Sequence, residues 1–413
     1  KLIKIKKQIR IIKNFMNLIN LKKLRFLTII GYLLIFLFVY FLLVIGDFLL
    51  SRYLNVLLSE INPEALKIEK ERYENQDVKM IKEARNNGFN SIILTPEVFE
   101  TPPITNLIDK YKILPLGPRP YTKYYLCNEG YGMATYLSDR FGFRNEDEKW
   151  DEKNIDAILI GDSFTHGACV EEKDSISGII SSKNLNVINL GTWGNGPIHY
   201  ANIASNFIEP LKPKNVILII GPNDNLNEKN NIYNKYFPQK PMKYFENYNK
   251  KIKPKKISSD LNLLYSEALP YIEILTKEVE QKGLFEGNIF KRAYKYLFLP
   301  NTIKIIKGFV QMELAIPYSS KLMIDTVVSE CKANLCKPIV VYIPTSDFWR
   351  PDSRANKYLS NINKYIETLN ENIIFIDLTS EISKLGRKGY SIQGPHLSPE
   401  GYRVTSEIIY KNM

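Results

Sequence analysis

Only three histidines occur in the chain, His166, His199 and His396, so a reaction that needs an imidazole base has few to draw on. His396 stands in Gly394-Pro395-His396-Leu397-Ser398-Pro399-Glu400-Gly401-Tyr402, beyond the last apolar run of the sequence. Ser163 stands in Gly161-Asp162-Ser163-Phe164-Thr165, directly after the first such run of the C-terminal part. A serine hydroxyl is a poor nucleophile until a neighbouring base takes its proton, and histidine suits that task. The tetrahedral oxyanion of acyl transfer then needs donors fixed before the reaction. Gly194, in Gly191-Thr192-Trp193-Gly194-Asn195-Gly196, offers a backbone N–H open to close approach. Asn223, in Gly221-Pro222-Asn223-Asp224, offers a side-chain amide, and the N–H of Ser163 itself is a third donor. Residue types in this order fit acyl transfer through serine.

The other polar residues near these motifs have plainer readings. His166, three residues past the serine, is expected at the surface or a helix start rather than in a pocket. His199 follows Pro197 and is expected to open a helix. Asp162 and Asp224 flank the motif residues and are expected to brace their loops by hydrogen bonds. No histidine cluster or closely spaced cysteine pair suggests a metal centre, and no motif suggests a cofactor.

These residues need elements that bring them together. Short, nearly continuous apolar runs recur at Ala157–Ile160, Val187–Leu190, Val216–Ile220, Ile339–Ile343 and Ile373–Ile376. Runs of this length suit strands buried on both faces, the signature of a parallel sheet. Segments with helical spacing lie between them, such as 175–182 with Asp174 as its expected N-cap. The fold class is therefore α/β: a three-layer sandwich with a mostly parallel five-stranded sheet. Ligands of such sheets sit beyond the carboxyl ends of the strands, where the motifs above fall. The interval between the third and fourth strands is too long for an ordinary crossover. Residues 228–315 are read as a helical insertion carrying Leu263, Leu264, Leu269, Tyr271, Ile272, Ile274 and Leu275, with a further helix at 289–297; 316–334 resume as the crossover helix.

The N-terminal part has another character. Phe26 to Gly46 contain no charged residue, long enough as a helix to span roughly 30 Å of hydrocarbon. Residues 1–25 hold nine Lys or Arg and no acid, which leaves a net +3 of the chain's +12 for everything else. Basic residues flanking a membrane helix stay on the cytoplasmic side, so residues beyond the helix are expected outside the cytoplasm. A cleaved signal peptide fits less well, because its apolar core is shorter and ends in small residues. The basic charge beside a membrane span is explained by anionic lipid, not nucleic acid. The expected organisation is a basic tail (1–25), a membrane anchor (26–50), a juxtamembrane stalk or helical preface (51–105) and a catalytic domain (106–413). Four cysteines remain. Either they are buried thiols, or in an oxidising compartment they pair, Cys127 with Cys169 and Cys331 with Cys336 being one of three connectivities.

The ordered set of Gly-Asp-Ser, Gly194, Gly-x-Asn-Asp and a C-terminal histidine resembles the SGNH (GDSL-type) hydrolase superfamily. The segment from Ser138 to Asn145 is similar to bacterial envelope members of that group. The resemblance implies Ser163 as nucleophile, His396 as base, and Gly194 and Asn223 in the oxyanion hole. It also implies an ester substrate, with O-acylated carbohydrate of the envelope among the options, and a periplasmic location on the inner membrane. The chain departs from the family at Gln393, three residues before the base, where an aspartate usually orients the imidazole. A glutamine carbonyl can accept the Nδ1 proton but cannot stabilise imidazolium as a carboxylate does. Three outcomes stay open: a dyad aided by a carbonyl, a carboxylate from elsewhere with Asp377 nearest in sequence, or a weakened enzyme. Asp377 has the plainer reading of a strand-terminal cap. Gln393 also keeps alive a different class, a degenerate module that binds glycan or scaffolds an assembly without turnover.

Overall fold

The structure is a computed structural model that describes residues 25–50, 52–53, 76–91, 104–225, 255–286, 298–299, 302–303, 316–344 and 353–413. The basic tail, most of the stalk, and the expected helix at 289–297 lie outside the described residues.

The chain divides into two compact units. The smaller comprises Lys1–Leu57 and Asn288–Lys307. It holds α1, Arg25–Leu50, a helix long and apolar enough to cross a membrane. Near its end Asp47 is buried and accepts a hydrogen bond from the backbone of Thr302 at 2.6 Å.

The larger unit opens with α2 (Gln76–Asn86), β1 (Asn90–Ser91), α3 (Thr105–Tyr111), β2 (Lys123–Cys127) and β3 (Ala134–Leu137). The three strands form a small sheet in the order β1-β2-β3, with β2 and β3 antiparallel. Met80 and Ala84 of α2 bury against Tyr124 to Cys127, so this stretch of the expected preface supports β2.

The main sheet is built from β4 (Ala157–Ile160), β5 (Val187–Asn189), β6 (Asn215–Ile220), β7 (Lys337–Tyr342) and β8 (Ile374–Asp377). Its order is β5-β4-β6-β7-β8, and every neighbouring pair is parallel. All five apolar runs are strands of this sheet. Successive side chains on a strand point to opposite faces, so each run feeds two cores. Ile158, Ile160, Leu218, Ile220, Val340 and Tyr342 pack with α6 (Pro197–Leu211), α8 (Tyr318–Asn334) and α9 (Ser353–Leu369). Ala157, Leu159, Ile217, Ile219, Ile339 and Val341 pack with α5 (Ile176–Ser181), α10 (Thr379–Leu385) and α11 (Pro399–Asn412). Those two cores define the three layers. A short helix, α4 (Ser163–His166), follows β4 directly.

Two local expectations are corrected. The N-cap of α5 is Ser175, whose hydroxyl accepts from the backbone N–H of Gly178; Asp174 belongs to the preceding 3-10 turn. The insertion contributes α7 (Lys255–Glu286), which buries Leu261, Leu264, Tyr265 and Ala268 rather than the whole apolar set read from sequence. Those positions recur at the three- and four-residue spacing of one helix face, while Leu263, Leu269 and Ile274 stay exposed. Tyr265 donates to the carbonyl of Gly117 at 2.6 Å, and Glu267 meets Lys110 and Tyr111, which tie α7 to α3 and the proline-rich segment after it.

Candidate active site

The reversal of strand order lies at β4, with β5 on one side and β6 on the other. Loops leaving adjacent parallel strands diverge there, and the opening between them receives ligands. Ser163 leaves β4, Gly194 lies beyond β5, and Asn223 lies beyond β6.

Ser163 is partly exposed at the first turn of α4. The preceding Asp162 is buried, and one of its oxygens accepts from the backbone N–H of Phe164 at 3.0 Å. Its other oxygen accepts from the Asn223 amide at 2.8 Å. An amide nitrogen carries two N–H groups, so this bond fixes Asn223 and uses only one of them. Asp224 accepts from the backbone of Gly221 at 2.8 Å and from Tyr200 at 3.0 Å. Both aspartates brace loops, as expected. Gly194 is exposed and has φ of +74°, a left-handed conformation that an L side chain adopts only with strain.

His396 is buried, and its Nε2 lies 2.9 Å from Ser163 Oγ. Its Nδ1 lies 2.9 Å from Oε1 of Glu129, a residue absent from the motifs read in the sequence. Glu129 is fully buried in the loop after β2. Its Oε2 accepts from Ser391 Oγ at 2.5 Å and from the His396 backbone N–H at 3.3 Å. Burial alone would push this carboxyl up. The attraction of His396 and the hydrogen bonds from His396 and Ser391 outweigh it, and hold the group below the usual glutamate range. An ionised carboxylate only accepts, so the Nδ1 proton of His396 points at Glu129; in the neutral imidazole Nε2 is then the acceptor that faces the serine hydroxyl. Ser163, His396 and Glu129 thus form a continuous chain of contacts.

Gln393 does not orient the imidazole. Its side chain is exposed, and its backbone N–H donates to the Glu129 carbonyl at 3.0 Å. Next to it, Gly394 makes room for the incoming acid: a Cβ there would sit 1.7 Å from Glu129 Cδ. Asp377 caps the end of its strand by accepting from the Thr379 N–H at 2.9 Å. Of the three outcomes left open by the sequence, the carboxylate comes from elsewhere, and from a different residue than Asp377.

Aromatic rings flank His396. Phe164 and Trp193 lie 5.3 Å and 5.1 Å from the imidazole centroid. The sulfur of Cys169 is 3.8 Å from His396 Nδ1, and Cys169 is bridged to Cys127. The second bridge joins Cys331 to Cys336. Donor atoms of Glu129, Cys169 and His396 lie within 4.8 Å of one another, the spacing of a metal site. The Cys169 sulfur is committed to its bridge and His396 Nδ1 faces Glu129, which leaves this trio no free sulfur ligand.

The segment from Ser138 to Asn145 forms the support beneath these loops. Asp139 is buried and accepts from the backbone N–H of Phe141 and Phe143, from Asn145, and from Trp150 Nε1 at 2.8 Å. Burial pushes its carboxyl up to about 6 against those four donors. Asn145 pairs with the backbone of Asn189, donating at 2.9 Å and accepting at 2.8 Å. Asn189 in turn donates to the Thr165 carbonyl and accepts from the Gly191 N–H, each at 2.9 Å. Buried Arg144 donates to the carbonyls of Gly167 and Val170 and pairs with Glu172 at 2.8 Å. One short stretch thereby fixes both the Ser163 turn and the start of the Gly194 loop.

His199 opens α6, as expected, and its Nε2 lies 2.8 Å from the Leu116 carbonyl. His166 is fully buried at the end of α4, edge-on to Tyr136 at 5.2 Å, which corrects its expected surface placement. Burial holds its imidazole well below the usual range, so it is neutral. Neither histidine reaches Ser163 in place of His396.

No protein-family model and no curated protein matches the chain. Among solved structures it is similar to one from Desulfitobacterium hafniense DCB-2, described as a lipolytic protein of the G-D-S-L family. The identity is 14%, the TM-score is 0.36, and the match covers 63% of this chain and 100% of that one. That likeness is too slight to bear on the site.

Proposed function

We propose that this chain is a membrane-anchored serine ester hydrolase or O-acyltransferase of SGNH type. The observation that carries the proposal is the relay from Glu129 through His396 to Ser163. Ser163 Oγ attacks the acyl carbon as its proton passes to His396 Nε2, and Glu129 stabilises the resulting imidazolium. The oxyanion is received by the backbone N–H groups of Ser163 and Gly194 and the amide of Asn223. His396 then returns the proton to the departing alkoxide, leaving an acyl-serine. Water or a sugar hydroxyl gives its proton to the same imidazole, attacks the ester and restores the serine.

The apolar helix α1 and the basic residues ahead of it support anchoring with the tail in the cytoplasm. The two disulfides support an oxidising compartment for the catalytic unit. An outward-facing site favours O-acyl groups on envelope or exported carbohydrate as substrate. The non-catalytic binding module loses its main support, because Glu129 takes the place that Gln393 leaves unfilled.

The test uses the full chain in detergent. It should release p-nitrophenol from p-nitrophenyl acetate with an initial burst and take a fluorophosphonate label at Ser163. Ser163→Ala should lose both. No label on the folded parent chain would overturn the proposal. Partition of the acyl group between water and an added oligosaccharide distinguishes hydrolysis from transfer.

A further inference from the structure

We propose that the Cys127–Cys169 bridge is the positioning device of the catalytic acid, so that the relay is complete only when these two thiols are oxidised. The inference rests on reading Ser163, His396 and Glu129 as that relay. Cys127 is the last residue of β2, and Glu129 follows two residues later. Cys169 lies six residues after Ser163, beyond the turn of α4. The bridge brings their Cα atoms to 4.8 Å, although 42 residues of chain separate them. Both cysteines are buried, and the bridge sulfur packs against His396 itself.

The acid has little regular structure to hold it. β2 belongs to the small sheet, which shares no strand with the sheet that carries the serine. Downstream of Glu129 come Gly130 and Gly132, with φ of +106° and +92°, conformations that glycine permits but does not enforce. Between Cys127 and Gly130 the backbone is tied by the bond from the Gln393 N–H to the Glu129 carbonyl and by the Gly130 N–H donating to the Asn128 side chain. The bridge is the covalent link between the acid's loop and the nucleophile's segment. Its counterpart, Cys331–Cys336, closes the turn from α8 into β7, at the end of the strand opposite the active-site loops. It serves as a control.

Forming the bridge removes two electrons and two protons from the thiols. An exchange partner carrying a disulfide accepts them and leaves as a dithiol. Dithiothreitol reverses the step, returning a proton to each cysteine sulfur and leaving as its cyclic disulfide.

The experiment uses the full chain in detergent with Cys331→Ala and Cys336→Ala, so that one bridge remains. Adding Cys127→Ala and Cys169→Ala should lower kcat by about tenfold to a hundredfold, the size of a misplaced catalytic group, with KM changed by less than about twofold. The far-downfield proton resonance of a histidine Nδ1–H bonded to carboxylate should disappear. In a Glu129→Gln background the same cysteine changes should cost less than about twofold, because both act through one group. Losses that multiply instead would overturn the inference, as would a retained resonance. If the double variant fails to fold, the folded parent is reduced with dithiothreitol while alkylation of Cys127 and Cys169 is followed by mass spectrometry. Activity should fall in step with alkylation, and full activity with both thiols alkylated would overturn the inference. Failure of the underlying relay is distinguishable: the oxidised parent would then lack turnover, or its label would persist in Ser163→Ala.

Discussion

The two sheets contribute to the site in different ways. The five-stranded sheet delivers the serine, the glycine and the asparagine by a general rule, since each stands just past the carboxyl end of a parallel strand. The three-stranded sheet delivers one residue, Glu129, by no such rule. Its β2 and β3 are antiparallel and outside the main layers, and its acid reaches His396 through a glycine-bordered loop and a disulfide. The proposed relay would thus be half inherited from the topology and half attached to it, and the attached half is exposed to different perturbations.

Substitutions should separate the halves. Ser163→Ala is expected to have the largest effect, a loss of kcat on the order of 10⁶ with p-nitrophenyl acetate and complete loss of fluorophosphonate labelling. Glu129→Gln should follow, at about 10³ to 10⁴ in kcat, because the amide cannot stabilise imidazolium. Gln393→Asp should change kcat by less than about threefold, since the Gln393 side chain is exposed and Glu129 already fills the role. A large gain from Gln393→Asp would mean that the attached acid is not the working one. Asn223→Ala, on the topological side, should cost about 10² in kcat with little change in KM.

The smallest effect is one of pH. The folded-state carboxyl of Glu129 lies below its ordinary value of 4.5, because attraction to His396 and its hydrogen bonds outweigh burial. Such a group adds stability above its unfolded value and loses it as pH falls through the lower folded value. Acid melts of the parent chain should therefore steepen below about pH 4.5, and Glu129→Gln should remove that component. A parent chain whose acid stability matches that of the variant would show the carboxylate to be unpaired.

How much could be read beforehand follows the same division. The strands were legible because runs such as Ala157–Ile160 are apolar at every position, which only a doubly covered sheet needs. Motifs at their ends placed Ser163, Gly194 and Asn223, and sequence order placed His396. The buried face of α7 was less legible, because its apolar residues outnumber the ones it buries and only spacing distinguishes them. Glu129 was not legible by the rules that found the others. It precedes the main sheet in sequence, and acids are common on surfaces, so nothing separated it from the rest. Two signals were present: its place beside a cysteine and two glycines, and the glycine at 394. The support made by Asp139, Arg144 and Asn145 was visible only as a similarity to other chains, since its hydrogen bonds run to backbone atoms that no sequence names.

The room above Gly394 has a use beyond this molecule. Gln393 by itself records only that no carboxylate stands three residues before His396. The residue beside it records what stands there instead: with Glu129 Cδ 1.7 Å from where a Cβ would stand, a side chain at 394 would displace that carboxylate. A glycine two places before such a histidine, next to a residue without a carboxylate, is an address at which to look for one from a distant part of the chain.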